Sequence, residues 1–151
     1  MDWALRYAFD QGHDQVVMAH GLSGRLDHSL GNLQLLAAHA RAGEACWAVG
    51  DDTLVVCLAA PGPLNTISID EGQWGTCSVF TQSDKASGVT EQGFAYSITN
   101  GSTTNRELWG ISNELIGDPA TITLEQGCLW VFLPVSALSA ITYGQEKLRL
   151  L

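Results

Sequence analysis

The chain has 151 residues, a length that suits one domain or two small ones. Its formal net charge is −9, and its seven lysines and arginines form no basic run, so neither nucleic acids nor anionic membranes are expected as partners. No apolar run is long enough to span a membrane, and the first residues do not resemble a signal peptide. Charged residues make up only 15% of the chain, and the largely uncharged surface favours contacts between subunits.

The four cysteines, Cys46, Cys57, Cys77 and Cys128, form no Cys-x-x-Cys motif, so a zinc site is not expected. Their even number allows disulfides. Two of them, Cys46 and Cys57, lie in apolar runs typical of strands, where a reduced cysteine behaves as a small hydrophobic residue. A reduced, cytoplasmic setting fits this usage best.

The first sixty residues show the pattern of an α/β fold. The spacing of apolar residues predicts a helix, a strand, a second helix and two further strands, over 3–11, 15–20, 28–42, 45–49 and 53–58. The last two strands flank a Gly50-Asp51-Asp52 turn, which indicates a hairpin. The order strand, helix, strand predicts a parallel pair with a right-handed crossover.

Three strands and two helices are too few to cover both faces of a parallel sheet. Residues 1–60 are therefore interpreted as the C-terminal half of a doubly wound α/β domain. A partner chain or a further segment is expected to cover the faces that this half exposes.

The sequence changes in character after Ala60-Pro61-Gly62-Pro63, where helical spacing stops and Thr, Ser, Gly and β-branched residues dominate. Short strands are predicted over 65–70, 76–81, 86–91, 94–99, 104–109, 120–125 and 128–133. Strands at this spacing are typical of an antiparallel β-sandwich or jelly roll, here assigned to residues 61–151. The segment 136–151 is left open between an added strand and a tail.

The segment Gly21 to Asn32 carries the most chemistry, because a glycine-rich loop there joins a strand to a helix. The loop offers a cation in Arg25, a carboxylate in Asp27 and an imidazole in His28, and the helix amides beyond it favour an anion. This layout is typical of a ligand site at the carboxyl end of a parallel strand. In the alternative interpretation, Asp27 or Ser29 only caps the helix and Arg25 is a solvated charge.

Three stretches together resemble the thiamine pyrophosphokinase family. They are Gly-Arg-Leu-Asp-His-Ser-Leu-Gly-Asn-Leu-Gln-Leu-Leu at 24–36, Gly-Val-Thr-Glu-Gln-Gly-Phe-Ala-Tyr at 88–96 and Gly-Ile-Ser-Asn-Glu at 110–114. They occur in the family's order and at family-like spacing. The resemblance extends from Asp2 to about Leu133.

The resemblance implies transfer of a pyrophosphoryl group from ATP to thiamine, which gives thiamine diphosphate and AMP. It implies an α/β catalytic domain, present in part as residues 1–60, and a thiamine-binding β-sandwich over 61–151. It also implies a homodimer with sites built across the subunit interface, and Mg²⁺ bound to the phosphates. Such transfer depends on positioning and charge neutralisation more than on covalent chemistry.

The same resemblance implies roles for individual residues. Arg25 and Asp27 are the catalytic candidates, and Asp27 is also the candidate ligand for Mg²⁺ or for the aminopyrimidine. The candidates for nucleotide binding are Gly24, Arg25, His28 and Ser78. The candidates for thiamine binding are Tyr96, Ser112 and Asn113.

Structural roles compete with these assignments. Tyr96 is equally well explained as a residue that packs within a strand, and Asn113 as one that holds a turn. Trp109 and Trp130 offer aromatic faces for the vitamin, but core packing explains them better.

The family's Gly-Asp-x-Asp-Ser and Lys-Asp-x-Thr-Asp motifs, which organise its magnesium, are absent from this sequence. The resemblance therefore implies an N-terminally truncated member with little or no transfer activity of its own. A non-catalytic module that binds thiamine or thiamine diphosphate is the second hypothesis. A β-sandwich with an unrelated sugar or protein ligand is the third.

Overall fold

The computed structural model describes residues 1–22 and 24–149. The helices are α1 (Asp2–Asp10) and α2 (Leu26–Arg41). The strands are β1 (Gln15–Ala19), β2 (Ala45–Val49), β3 (Thr53–Ala60), β4 (Thr66–Ile69), β5 (Trp74–Thr81), β6 (Lys85–Gln92), β7 (Ile98–Thr104), β8 (Asn113–Ile116), β9 (Ala120–Thr123), β10 (Gly127–Pro134), β11 (Ile141–Tyr143) and β12 (Glu146–Lys147). A short 3₁₀-helix spans Val135–Ala140.

The first sheet has six strands in the order β1-β2-β3-β10-β5-β8. Strands β1 and β2 are parallel and are connected through α2, which confirms the predicted strand–helix–strand unit. Strands β2 and β3 form the predicted hairpin, closed by a hydrogen bond of 2.8 Å from the Gly50 N–H to the Thr53 carbonyl. Strand β3 then pairs along its whole length with β10, so the α/β strands and the sandwich strands share one sheet.

The second sheet also has six strands, in the order β12-β11-β4-β9-β6-β7, and all its pairings are antiparallel. Alternating side chains of its strands point towards the first sheet. Together the two sheets enclose one core, whose largest buried side chains include Leu58, Ile67, Leu115 and Ile122. The predicted fold class, part of an α/β domain followed by an antiparallel β-sandwich, is confirmed.

Helix α2 lies across the outer face of the first sheet, over β2, β3 and β10. The Trp130 indole fixes it there, because its Nε1–H donates to the Leu33 carbonyl at 2.9 Å. Helix α1 buries Leu5 and leaves Trp3 and Tyr7 exposed, with their rings stacked at 5.4 Å. Among the described residues, no helix combines the length and the apolar character that crossing a membrane requires.

Two predicted strands, 94–99 and 104–109, are wrong, and a single strand, β7, replaces them. Phe94 and Ala95 contact β8 of the first sheet, and the backbone N–H and carbonyl of Tyr96 are bound by the Asn113 side chain, so this segment leaves the second sheet. Strand β8, which begins at Asn113, was not predicted.

The C-terminal segment forms part of the core. After the 3₁₀-helix, β11 pairs with β4, and the buried Tyr143 hydroxyl donates a hydrogen bond to the Cys57 carbonyl on β3. The segment left open at the sequence level therefore contains strands, as far as residue 149. Leu150 and Leu151 lie outside the described residues.

We expect Tyr143→Phe to lower the free energy of unfolding by about 1–2 kcal/mol, because it removes the donor to a buried carbonyl while keeping the ring. Urea denaturation followed by circular dichroism measures the change. Tyr7→Phe, at an exposed ring on α1, is the matched control and should leave the unfolding midpoint unchanged. Equal midpoints for the two variants would contradict this role of Tyr143.

Candidate functional site

The loop after β1 is tied to helix α2 on its inner side. The Asn32 side-chain N–H donates to the Gly21 carbonyl at 2.7 Å. A side chain at Gly21 would press on Met18, since a Cβ there would lie 3.0 Å from the Met18 Cβ. The loop is therefore held against the sheet while its outer residues face solvent. Ser23, in this loop, lies outside the described residues.

Arg25 and Asp27 form an exposed ion pair at the N-terminus of α2. The guanidinium Nε and Nη2 donate to the two carboxylate oxygens of Asp27 at 3.1 and 2.6 Å. This contact lowers the pKa of the Asp27 carboxyl, which therefore stays charged at neutral pH. Arg25 itself is the N-cap residue, and no side-chain cap hydrogen bond is formed there. The backbone N–H groups of His28 and Asp27 also lower the pKa of the Asp27 carboxyl, so the alternative role of Asp27 at the helix N-terminus stays a prediction.

An open cleft of about 350 Å³ borders this ion pair, and Arg25, His28 and Asn32 are among its lining residues. Gly24, another predicted nucleotide-binding residue, is exposed beside it with φ of 85°. Two of the four nucleotide candidates, Arg25 and His28, therefore line this cleft near helix amides that attract anions.

The residues present do not form a magnesium site by themselves. Asp27 supplies one carboxylate, and Arg25 binds both of its oxygens. Within residues 1–22 and 24–149 there is no group of three or more His, Cys, Asp or Glu side chains arranged to hold a metal ion.

The second set of candidates surrounds the buried side chain of Asn113, which is 4% exposed. Its Oδ1 accepts the N–H groups of Tyr96 and Glu114, at 3.0 and 2.9 Å. Its Nδ2 donates to the Tyr96 carbonyl at 2.7 Å and to Glu91 Oε2 at 2.9 Å. The carboxamide thus uses both donors and both acceptor positions inside the protein, and it positions its neighbours.

Tyr96 is held by its backbone, while its ring is 71% exposed. The segment turns away from β6 at Gly93, where φ is 79° and a Cβ would lie 2.0 Å from the Pro119 carbonyl oxygen. Only glycine fits there. The Tyr96 ring therefore projects from a rigid support and has a free face on which a flat ligand could stack.

Ser112 adopts a left-handed conformation, with φ of 59°, and its N–H donates to the Ser78 hydroxyl at 3.1 Å. Ser78 also lines a groove of about 300 Å³ on the outer face of the first sheet. Phe80 and Phe132 form an aromatic side of this groove, with ring centroids 5.4 Å apart in an edge-to-face arrangement. The structure thus joins Ser78 to the thiamine candidates rather than to the loop after β1.

Glu91 completes this second set and has no role in the sequence interpretation. Its side chain is fully buried, and its Oε1 has no hydrogen-bond partner among the described residues. Burial raises the pKa of the Glu91 carboxyl, and the Asn113 hydrogen bond opposes this rise. Two irregularities in the β6–β7 pairing interrupt the alternation here, which hid this inward-facing carboxyl from sequence analysis.

The two sets of candidates lie at opposite edges of the first sheet. The Arg25 loop follows β1 at one edge, and Asn113 begins β8 at the other, five strand spacings or about 24 Å away. Strand β1 runs in the opposite direction to β3 and β5, so the end of β1 and the starts of β3 and β5 lie at the same end of the sheet. The loop and the groove are therefore both at that end. One chain therefore does not bring Arg25 and Asp27 into contact with Ser112 and Asn113.

Comparison with known proteins gives a family match that includes this second region. Residues 65–129 match the family described as thiamin pyrophosphokinase, vitamin B1 binding domain. The resemblance to the thiamine pyrophosphokinase family is confirmed. Tyr96, Ser112 and Asn113 all lie within the matched residues.

Solved thiamine pyrophosphokinases share the fold of the wider chain. The crystal structure of thiamine pyrophosphokinase from Bacillus subtilis aligns with a TM-score of 0.77 and 25% identity, over 88% of this chain and 61% of that one. The enzyme from Geobacillus thermodenitrificans aligns with a TM-score of 0.73 and 26% identity, over 90% and 62%. The yeast enzyme, at 15% identity and a TM-score of 0.64, shares the fold.

The present chain thus spans about three fifths of the length of the two bacterial thiamine pyrophosphokinases. A search of curated protein sequences gives no match.

We expect the raised pKa of Glu91 to make folding stability depend on pH. A carboxyl whose pKa is higher in the folded state favours folding when protonated, and this contribution is lost as pH rises from about 4 through the raised value. The unfolding free energy of the wild type, minus that of Glu91→Gln, should therefore fall over this range. Chemical denaturation at a series of pH values measures this difference in unfolding free energy. A difference that does not change with pH would contradict burial of the Glu91 carboxyl.

Proposed function

We propose that this chain binds thiamine in the region bounded by Tyr96, Ser112 and the groove beside Ser78. The observation that carries the proposal is that the three predicted thiamine residues lie within the residues that match the vitamin B1 binding domain. Asn113 binds the backbone of Tyr96, and Ser112, the next residue in the chain, binds Ser78 beside the groove. The exposed Tyr96 ring suits the flat aminopyrimidine or the cationic thiazolium. Ser112 adds a short polar side chain beside the aromatic groove.

We expect calorimetric titration with thiamine to give a measurable heat, and Tyr96→Ala to weaken binding by about tenfold through loss of the stacking face. The ring is largely exposed, so the variant should fold normally. Tyr7→Ala, at an exposed tyrosine on α1, serves as the matched control and should bind like the wild type. Absence of heat from the wild type at millimolar thiamine would overturn the proposal.

We further propose that the Arg25 region acts on the phosphates of ATP during pyrophosphoryl transfer to thiamine. Gly24, Arg25 and His28 are exposed at the N-terminus of α2, where backbone amides and a guanidinium favour an anion. Ser78 lies in the other cluster, so we assign it to the vitamin side of the site. Magnesium, which family members use with ATP, would need carboxylates beyond Asp27.

The distance between the two sets of candidates within one chain supports the proposal of a homodimer. If Arg25 and Ser112 act on the same pair of substrates, the 24 Å estimated between the sheet edges requires that two copies contribute one group each. We propose a site shared between two subunits. Sedimentation at the mass of a single chain, 16.2 kDa, at micromolar concentration would contradict it.

We expect this chain alone to release little or no AMP from ATP and thiamine, because the described residues provide too few free carboxylates to hold the metal on the phosphates. Chromatographic measurement of AMP, with the Bacillus subtilis enzyme assayed in parallel, tests this. Release that depends on thiamine and equals that of the longer enzyme would contradict the expectation.

The paired state of Asp27 favours one alternative, a module that binds thiamine or thiamine diphosphate without catalysis. Such a module would keep the calorimetric response and release no AMP.

In either case we propose a reduced cytoplasmic setting, which the four buried thiols support. Burial raises the pKa of the Cys46 thiol to about 12, so that thiol stays protonated.

A further inference from the structure

The buried carboxyl of Glu91 has no salt-bridge partner among the described residues. The side chain is fully buried on β6, and within residues 1–22 and 24–149 its one hydrogen bond is the 2.9 Å contact from Asn113 Nδ2 to Oε2. The other oxygen, Oε1, has no partner among the described residues. Buried carboxyl oxygens are normally paired, because an unpaired one costs the free energy of its lost hydration.

No cationic side chain of the described residues forms a salt bridge with Glu91. The titratable group that interacts with it electrostatically is the Cys77 thiol on β5, and burial raises the pKa of that thiol, which is therefore neutral. From β8 it meets the Asn113 amide, which carries no charge. Within the described residues, no cation therefore lies within ion-pair distance of Glu91.

The orphan oxygen lies close to the surface that carries the thiamine candidates. It sits beneath Gly110, and a Cβ on that glycine would be 3.5 Å away. Gly110 is only half-buried and has no side chain to pack against the oxygen. The same backbone continues to Ser112, while the other oxygen of Glu91 contacts Asn113. The carboxyl thus lies next to the 110–113 segment, which carries two of the thiamine candidates.

We propose that Glu91 is a specificity-determining residue that supplies the counter-charge for a cationic ligand at this site, namely the thiazolium ring of thiamine. The inference rests on the proposed function, since it concerns the same site. Coulomb interactions with a desolvated carboxylate are weakly screened, so a cation over the Gly110–Ser112 segment is favoured although it does not touch Glu91. Asn113 contributes by fixing the orientation of the carboxyl.

The proposal is tested by comparing two ligands of the same shape and different charge. The first is thiamine, and the second is its neutral isostere, in which carbon replaces the positively charged thiazolium nitrogen. We expect calorimetry on the wild-type chain to show about tenfold weaker binding of the isostere. Glu91→Gln should weaken thiamine binding by a similar factor and leave the affinity for the isostere within about twofold.

Glu114→Gln is the matched control, because it removes the same charge from an exposed residue next to Asn113. It should leave the preference for the cation unchanged. Circular dichroism verifies that each variant is folded, and the wild-type comparison of the two ligands does not depend on any variant.

The outcomes separate this inference from the proposed function. If the wild type binds thiamine and the neutral isostere equally, thiamine binding stands and the role of Glu91 is wrong. The same conclusion follows if Glu91→Gln weakens both ligands equally, since that indicates a purely structural effect. If the wild type binds neither ligand, the proposed function fails, and the inference fails with it.

Discussion

One carboxamide determines the shape of the proposed vitamin site. The Asn113 side chain binds the backbone of Tyr96 on both sides and also holds Glu91, so it connects the end of β6 with the start of β8. Because all four of its hydrogen-bonding positions are used, any direct contact with a ligand must come from its neighbours. The exposed Tyr96 ring and the Ser112 loop therefore owe their positions to a residue that itself stays buried.

A second constraint is the pairing of β3 with β10, which joins the parallel strands and the sandwich strands in one sheet. The Arg25 loop and the Ser112 loop consequently sit on a common scaffold, at its two opposite edges. This arrangement fixes their separation, since a hydrogen-bonded sheet cannot shorten to bring its edges together. It accounts for the proposal that two copies of the chain share each site.

The unbalanced carboxyl of Glu91 fits the general charge of the molecule. With sixteen acidic and seven basic residues, the protein has few cations to place in its interior, and those that it has are largely on the surface. An acidic group left without an internal partner is costly in the empty protein and favourable once a cation arrives. That difference in free energy is a physical basis for selecting a charged ligand.

The sequence by itself determined the helices, the parallel unit, the hairpin and most sandwich strands, because apolar spacing and glycine-rich turns are local signals. It also determined the family resemblance through three short stretches. Only the tertiary structure decided that Tyr96 leaves the sheet, that Ser78 belongs beside Ser112, and that Glu91 is buried. Each of these depends on a contact between residues distant in the chain, such as Asn113 with Glu91 and Tyr96, or Ser112 with Ser78. Local periodicity carries no information about such contacts, because they form only when strands that are distant in the chain pair or pack together.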